Sequence, residues 1–232
     1  NHDGISSAQS GAIVDRQSSW FQTAAYGPGD LSFWWKVSSE AGCDFLRFKV
    51  DGATWREISG ETGWQFVSLR VEGSGMHTLE WSYTKDKDTL EGFDAGWVDQ
   101  VSWTPRGFAL WMQSKGLSGD PTTAFVADRN SDNIANGFEF AFGTNWTSGQ
   151  NILNIRSVDG QPVVEMSKQD SSTVPYVLLT LKGCTNLLCA PGNWTLPTTP
   201  ATNTAGKPSN RDWYVPVGVP PKAFFRIDAT LL

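Results

Sequence analysis

Short runs that alternate apolar and polar residues fill the first hundred positions, separated by Gly, Pro and Asp turn signals. The clearest is 45–50, where Leu46, Phe48 and Val50 occupy every second position before an Asp51-Gly52 turn. Further strands are predicted at 31–37, 64–71, 77–83 and 96–103. Strands of this length and spacing predict a β-sandwich or jelly roll over residues 1–105.

The pattern changes to helical spacing after residue 105. Residues 108–115 are predicted to form a short amphipathic helix that stops at Gly116, and 137–142 a second one that ends at Gly143. Strand patterns return at 152–156, 162–166, 176–181, 213–217 and 224–227. We therefore predict a mostly β protein in three parts: a jelly-roll β-sandwich at 1–105, a helix-loop-helix connector at 106–148 and a small β-sandwich-like domain at 149–232.

Residues 128–139 have the spacing of a calcium-binding loop. These twelve residues begin before the second predicted helix and extend into it. Oxygen-bearing side chains stand at loop positions 1, 3, 5, 9 and 12, and position 7 offers its backbone carbonyl. The predicted ligands are Asp128, Asn130, Asp132, Ile134, Asn136 and Glu139. Ca²⁺ prefers such hard oxygen ligands, and we expect it to stabilise the loop rather than to catalyse. The alternative is a solvated turn rich in Asx residues.

Composition and charge exclude two classes of partner. The net charge is −6 and the pI is near 4.9, so the chain repels phosphate backbones and nucleic acid is not expected to bind. No run of about eighteen apolar residues occurs, so we expect no insertion into a membrane.

The twelve tryptophans are the natural candidates for binding sugar, because an indole face stacks on the apolar face of a pyranose. Trp55 and Trp64 follow turn signals and are expected to be more exposed than Trp34 or Trp81, which lie within predicted strands. Core packing is the alternative for each of them. Trp34 and Trp35 are adjacent, so one is expected in the core and the other on the outer face.

Other candidate chemistry is sparse. Cys184 and Cys189 are close enough in sequence for a local disulfide, which leaves Cys43 over. Carboxylates at Asp3, Asp94 and Asp99 are either a second metal site or solvated loop residues. Neither histidine accompanies a nucleophile motif such as Gly-x-Ser-x-Gly, and no local pattern nominates a pair of catalytic carboxylates. We expect no enzymatic activity.

The chain carries a His2-Asp3-Gly4 motif and, in order after it, characteristic segments at residues 8–11, 17–20, 27–29, 31–40 and 96–101. Together these segments resemble the jelly-roll module of large secreted modular proteins from environmental bacteria. The helix-loop stretch resembles the calcium segment of the same proteins, and residues 181–194 and 222–226 resemble the small β module that often ends such chains. The resemblance implies a secreted or cell-surface protein stabilised by calcium. It implies architecture rather than activity, because these modules accompany many functions.

Two departures from the family pattern change the expectations. Asn130 replaces the usual Asp at loop position 3, which should weaken calcium affinity, and Asn133 replaces the usual Gly at position 6. Asn tolerates a left-handed backbone, so the turn should survive. The family module also begins with a strand ahead of His2. Either that leading strand has been removed or the sandwich lacks it, and a missing strand leaves an open sheet edge.

Two functions follow from the sequence. The first is a non-catalytic extracellular module for binding or adhesion, directed at polysaccharide or a cell-surface glycan. The second is a structural subunit, in which copies of the chain assemble into an extracellular fibre or surface layer through the open β edge near the N-terminus.

Overall fold

The fold is mostly β, as predicted, in a computed structural model that describes residues 1–87, 91–143, 153–158, 161–184, 198–200, 211–216 and 224–232. The chain divides into two compact units, Asn1–Pro121 and Thr122–Leu232. This division falls inside the segment predicted as a helical connector. The predicted three-part boundaries remain a prediction.

The first unit is an eight-stranded antiparallel sandwich. Its strands are β1 (Ala8–Gln9), β2 (Ser18–Tyr26), β3 (Gly29–Ser38), β4 (Phe45–Val50), β5 (Ala53–Ile58), β6 (Gln65–Val71), β7 (Met76–Thr84) and β8 (Ala95–Pro105). One sheet has the order β1-β8-β3-β6 and the other the order β2-β7-β4-β5. This interleaving of early and late strands over two four-stranded sheets is the jelly-roll arrangement, and it confirms the architecture expected from the sequence.

Alternation along each central strand builds the core between the two sheets. In β3 every second residue is buried, including Trp35 at 0 % exposure, and the residues between them face outward. From the opposite sheet, Phe48 and Trp81 pack against Phe33 with ring centroids 5.0–5.2 Å apart. Tilted and edge-on contacts of this kind favour a single packing arrangement of a large aromatic core.

The edge strands are where the sequence prediction was incomplete. The strand β1 has only two residues, with Ala8 opposite Val98 and Gln9 opposite Trp97, and it follows His2, so the expectation of a strand ahead of His2 remains a prediction. Both β2 and β5 were overlooked. Their residues are exposed on both faces over most of their length, so neither strand shows an alternating pattern.

Among the described residues, three short helices follow the sandwich in sequence: α1 (Gly107–Ser114), α2 (Pro121–Val126) and α3 (Asn136–Phe142). The first and third confirm the predicted helices, and α3 ends at Gly143, which has a φ of +58°. Helix α2 was not predicted, since six residues are too few to display a helical period. No helix within the described ranges is long and apolar enough to cross a membrane.

The second unit carries the remaining strands. They are β9 (Leu153–Val158), β10 (Gln161–Ser167), β11 (Val177–Cys184), β12 (Thr198–Pro200), β13 (Arg211–Pro216) and β14 (Phe224–Leu231). Four of them form an antiparallel sheet in the order β12-β13-β10-β9, and β11 pairs with β14. Cys184 ends β11, but Cys189 lies outside the described residues, so the disulfide remains a prediction. Cys43 is a free cysteine.

Candidate functional site

The predicted calcium loop connects α2 to α3 and is held by its own side chains. The Asp128 carboxylate accepts hydrogen bonds from the backbone N–H groups of Asp132, at 3.3 Å, and Asn133, at 2.8 Å. Asp132 in turn accepts from the Ile134 N–H at 2.9 Å. Asn133 has a φ of +68°, the left-handed conformation expected at loop position 6 in place of glycine. These hydrogen bonds fold the loop backbone around the carboxylates at loop positions 1 and 5.

Acceptor oxygens from both ends of the loop meet at the Asn130 side chain. Its amide nitrogen donates to Asp132 Oδ2 and to Glu139 Oε1, at 3.1 Å each. Glu139 is only 1 % exposed although it is a carboxylate. An amide half-turn exchanges the nitrogen and oxygen of Asn130, and it would then present a third oxygen to the same point. The arrangement therefore gathers oxygen atoms where a hard cation can replace a neutral donor.

The two other predicted ligands have different surroundings. Ile134 buries its side chain, at 9 % exposure, as expected for a residue that offers only its carbonyl. The Asn136 amide donates to the Ala124 carbonyl at 2.8 Å and its oxygen accepts from the Arg129 N–H at 3.4 Å. Asn136 thus links the loop to α2 by hydrogen bonds. Its side-chain oxygen would bind an ion only if it also kept the hydrogen bond from the Arg129 N–H.

The donor set fits Ca²⁺ in chemistry, since its side chains are carboxylates and amides without sulfur or imidazole, and two of the carboxylates, Asp132 and Glu139, lie within hydrogen-bond distance of the Asn130 amide. Within the described residues, no group of three or more His, Cys, Asp or Glu side chains is arranged to hold a metal ion. In the loop, the Asn130 amide nitrogen binds both Asp132 and Glu139.

A second candidate region is an aromatic face on the outer surface of the sheet β1-β8-β3-β6. We define it by Trp34, Trp64, Phe66 and Trp97. Phe66 is 53 % exposed and lies 5.3 Å from Trp34, centroid to centroid. The three indoles are partly buried. Trp34 faces outward because its neighbour Trp35 takes the core position, as the alternation predicted.

Two polar side chains fix the planes of this aromatic face. His2 stacks on Trp34 with centroids 3.7 Å apart and an interplanar angle of 16°, and its backbone N–H donates to Asp99 at 2.6 Å. The Lys36 ammonium lies 5.1 Å from the Trp64 centroid and 4.5 Å from that of Trp97. Such cation–π contacts hold the two indoles in register.

Sequence reasoning found only part of the aromatic face. Trp64 was predicted as a binding residue, whereas Trp97, Phe66 and Lys36 were not. Trp55 lies in the other sheet, where it is 47 % exposed and meets Phe48 edge-on, so the fold does not bring the two predicted binding tryptophans together. The missing signal was pairing between strands, which no alternation pattern reveals.

The three aspartates considered as a second metal site have separate partners. Asp3 accepts from the Ile5 N–H at 2.8 Å, and this bond, assisted by Gln100, lowers the pKa of its carboxyl. Asp99 binds the His2 N–H. Asp94 instead pairs with the Lys85 ammonium and accepts from the Tyr83 hydroxyl at 3.0 Å. These contacts explain the three carboxylates without an ion.

A buried polar cluster surrounds that Lys85–Asp94 pair. Asp44 is fully buried; one of its oxygens accepts from the Asp86 N–H at 2.9 Å, and the other accepts no hydrogen bond. Burial raises the pKa of the Asp44 carboxyl above its ordinary 3.8, and the Lys85 charge only partly offsets this. Asp44 is therefore a cost to folding when it is ionised.

We expect Asp44→Asn to melt at the same temperature as the parent chain or higher at neutral pH. Since the folded-state pKa is raised, the parent loses stability as pH rises from about 3.8 through the folded value. Asparagine keeps the acceptor for Asp86 N–H and does not titrate. Thermal melting followed by circular dichroism should show that the difference in melting temperature between Asp44→Asn and the parent chain becomes smaller at acid pH. A variant that melts lower at neutral pH would contradict this account and assign the Asp44 charge a role beside Lys85.

Comparison with known proteins yields distant structural likeness only. No protein-family model matches the chain, and no curated protein matches it. Among solved structures, it is similar to the secreted serine protease VesC from Vibrio cholerae, at 19 % identity and a TM-score of 0.40, over 43 % of this chain and 21 % of that one. It is also similar to a cycloisomaltooligosaccharide glucanotransferase from Paenibacillus sp., at 12 % identity and a TM-score of 0.22, over 92 % and 40 % of the two chains.

The chain thus spans less than half the length of each of these two solved structures. At these TM-scores the likeness carries no argument about activity or ligand. The function has to be inferred from the residues of this chain.

Proposed function

We propose that the chain is a non-catalytic binding or adhesion module of a secreted or cell-surface protein, directed at polysaccharide or a cell-surface glycan. The observation that carries this proposal is the aromatic face, in which Phe66 is 53 % exposed beside three partly buried indoles. Aromatic rings on an outer sheet surface offer π faces to the C–H groups of a sugar.

Support also comes from how firmly the rings are held. His2 stacks on Trp34, and Lys36 lies within 5.1 Å of the centroids of both Trp64 and Trp97. Side chains that are already fixed lose little conformational entropy when a ligand binds. Lys36 adds a charged group beside the rings, where sugar hydroxyls find a hydrogen-bond partner.

Calcium belongs to the proposal as a structural ion. Asp128, Asn130, Asp132 and Glu139 would supply side-chain oxygens, and Ile134 its carbonyl. Bound there, Ca²⁺ would neutralise the carboxylates of a short loop between two helices of six and seven residues. Such helices are too short to be stable without tertiary contacts.

We expect Trp64→Ala to abolish retardation of the chain on polysaccharide affinity gels. The substitution removes one ring of the aromatic face and the cation–π contact that Trp64 makes with Lys36. Trp55→Ala serves as the matched control, since it deletes an exposed indole of the other sheet. Gels cast with a panel of soluble polysaccharides provide the measurement. Loss confined to Trp55→Ala would move the site to the opposite sheet, and no retardation by any polysaccharide would refute a glycan ligand.

The structural-subunit function is the second candidate. It is supported by the exposed sheet edges beside the two-residue strand β1. Assembly into a fibre requires a head-to-tail contact that does not close on itself, whereas a symmetric contact yields a dimer. Electron microscopy of the purified chain distinguishes polymers from discrete particles.

A further inference from the structure

Strand β2 has an outer side without backbone hydrogen bonds in the described part of the chain, and the loop before it contacts it through the Gly11 N–H, which donates to the Ser19 hydroxyl at 2.8 Å. The strand pairs with β7 from Ser18 opposite Thr84 to Tyr26 opposite Met76, and it is the outermost strand of its sheet. In the described part of the chain, the loop before β2 makes backbone hydrogen bonds as far as Gln17, and the loop after β2 makes them from Gly27 onward. Nine residues, a length of about 30 Å, therefore offer unpaired backbone groups on one side.

The other edges of the sandwich are protected in ways that β2 is not. Edge strands avoid association by being short or by carrying charge. Strand β1 has only two residues, β5 contains Arg56 and Glu57, and β6 contains Arg70. Strand β2 reads Ser-Ser-Trp-Phe-Gln-Thr-Ala-Ala-Tyr, without a charge or a proline. Its two largest apolar side chains, Trp20 and Phe21, are 61 % and 39 % exposed.

The two faces of β2 are distinct, which limits how a partner strand can align. Phe21 stacks on the core residue Trp81 at 5.1 Å, so it points inward. Trp20 and Gln22 therefore point outward, on the side of Glu80. A second β2 strand that continues the sheet must keep outward residues opposite outward residues. Of the antiparallel registers that do so, only the one centred on Gln22 overlaps all nine residues.

That register is self-complementary in size. It sets Trp20 opposite Ala24, Tyr26 opposite Ser18 and Phe21 opposite Thr23, so each bulky side chain faces a small one. Gln22 lies opposite its own copy on the two-fold axis. Because the strand carries no charge, pairing with itself brings no like charges together.

We propose that β2 is a homodimerisation edge, at which two copies of this chain pair their β2 strands antiparallel about Gln22 to form one continuous eight-stranded sheet. The contact is isologous, as a two-fold interface must be. It uses the edge of one sheet and leaves the aromatic face of the other sheet outside the contact. The proposal is therefore independent of glycan binding.

A charge-swap at Gln22 tests both the interface and its register. The full chain should be a dimer in sedimentation velocity and light scattering, whereas Gln22→Glu and Gln22→Lys, each alone, should be monomers, because two like charges would face each other on the axis. An equimolar mixture of the two variants should recover the dimer, since Glu then faces Lys. Gln22 is exposed, so folding should be retained, which near-ultraviolet circular dichroism checks.

The matched controls are Thr54→Glu and Thr54→Lys on the exposed strand β5, at the opposite edge of the same sheet, and both should remain dimers. A parent chain that stays monomeric at all concentrations would overturn the proposal. So would Gln22 variants that dimerise as the parent does, or a mixture of well-folded variants that fails to associate. The Gln22 variants should still be retarded on polysaccharide gels, since each monomer keeps its own aromatic face on the other sheet.

Discussion

Removal of Ca²⁺ by EDTA is expected to lower the melting temperature of the chain by on the order of 10 °C. An ion present at about 100 times its dissociation constant adds roughly 2.7 kcal/mol to stability. For a unit of about one hundred residues, each kcal/mol shifts the midpoint by roughly 4–8 °C. The transition should recover on adding excess Ca²⁺, and differential scanning calorimetry measures it.

Asp132→Ala should melt lower than the parent chain and should no longer respond to EDTA. The substitution removes a predicted ligand and the acceptor of the Ile134 N–H. Asp170→Ala is the matched control: Asp170 is an exposed aspartate of the same unit that accepts from the Ser172 N–H at 2.9 Å. It should lose some stability and keep the full response to chelator. Equal melting of the parent chain with and without EDTA would refute the calcium assignment.

Trp81→Ala should lower the free energy of unfolding of the first unit by about 3–5 kcal/mol, the usual cost of truncating a buried aromatic residue to alanine. Trp81 is 1 % exposed, and the ring centroids of Phe21, Phe33 and Phe48 lie 5.0–5.2 Å from its own. The cavity would open at the centre of the sandwich, where both sheets contribute. Urea denaturation followed by near-ultraviolet circular dichroism measures the loss.

Trp81→Phe should cost less than Trp81→Ala. The Trp81 indole N–H is buried without a hydrogen-bond acceptor, so phenylalanine removes an unsatisfied donor while keeping most of the ring. Trp55→Ala, which truncates an indole that is 47 % exposed, should cost far less than either. A loss below about 1 kcal/mol for Trp81→Ala would contradict the central position given to this residue.

Much of the sandwich could be read from the sequence because its central strands are buried on one face. In β3 and β4, alternation follows directly from the pleat, since an apolar residue is needed only at every second position. The ends of α1 and α3 were likewise marked by Gly116 and Gly143. Edge strands such as β2 show no such alternation. Strand β2 has few neighbours on either face, so it does not need an apolar residue at every second position.

The candidate sites divide in the same way. Sequence spacing alone nominated the calcium loop, because its ligands lie within twelve residues of one another. The aromatic face draws Trp34, Trp64 and Trp97 from separate parts of the chain, and no local pattern connects them. The two tryptophans nominated for exposure, Trp55 and Trp64, proved to belong to different sheets.

The amino-acid order by itself determined a β-rich chain, its turns, the two helices that end in glycine and the oxygen-rich loop, since each of these depends on residues close in sequence. Tertiary structure alone decided that Trp34 meets His2, that Asp94 pairs with Lys85 instead of joining Asp99, and that β2 is an edge strand of its sheet. The physical reason is that strand order sets which side chains become neighbours. Pairing between strands is a long-range property that no window of adjacent residues contains.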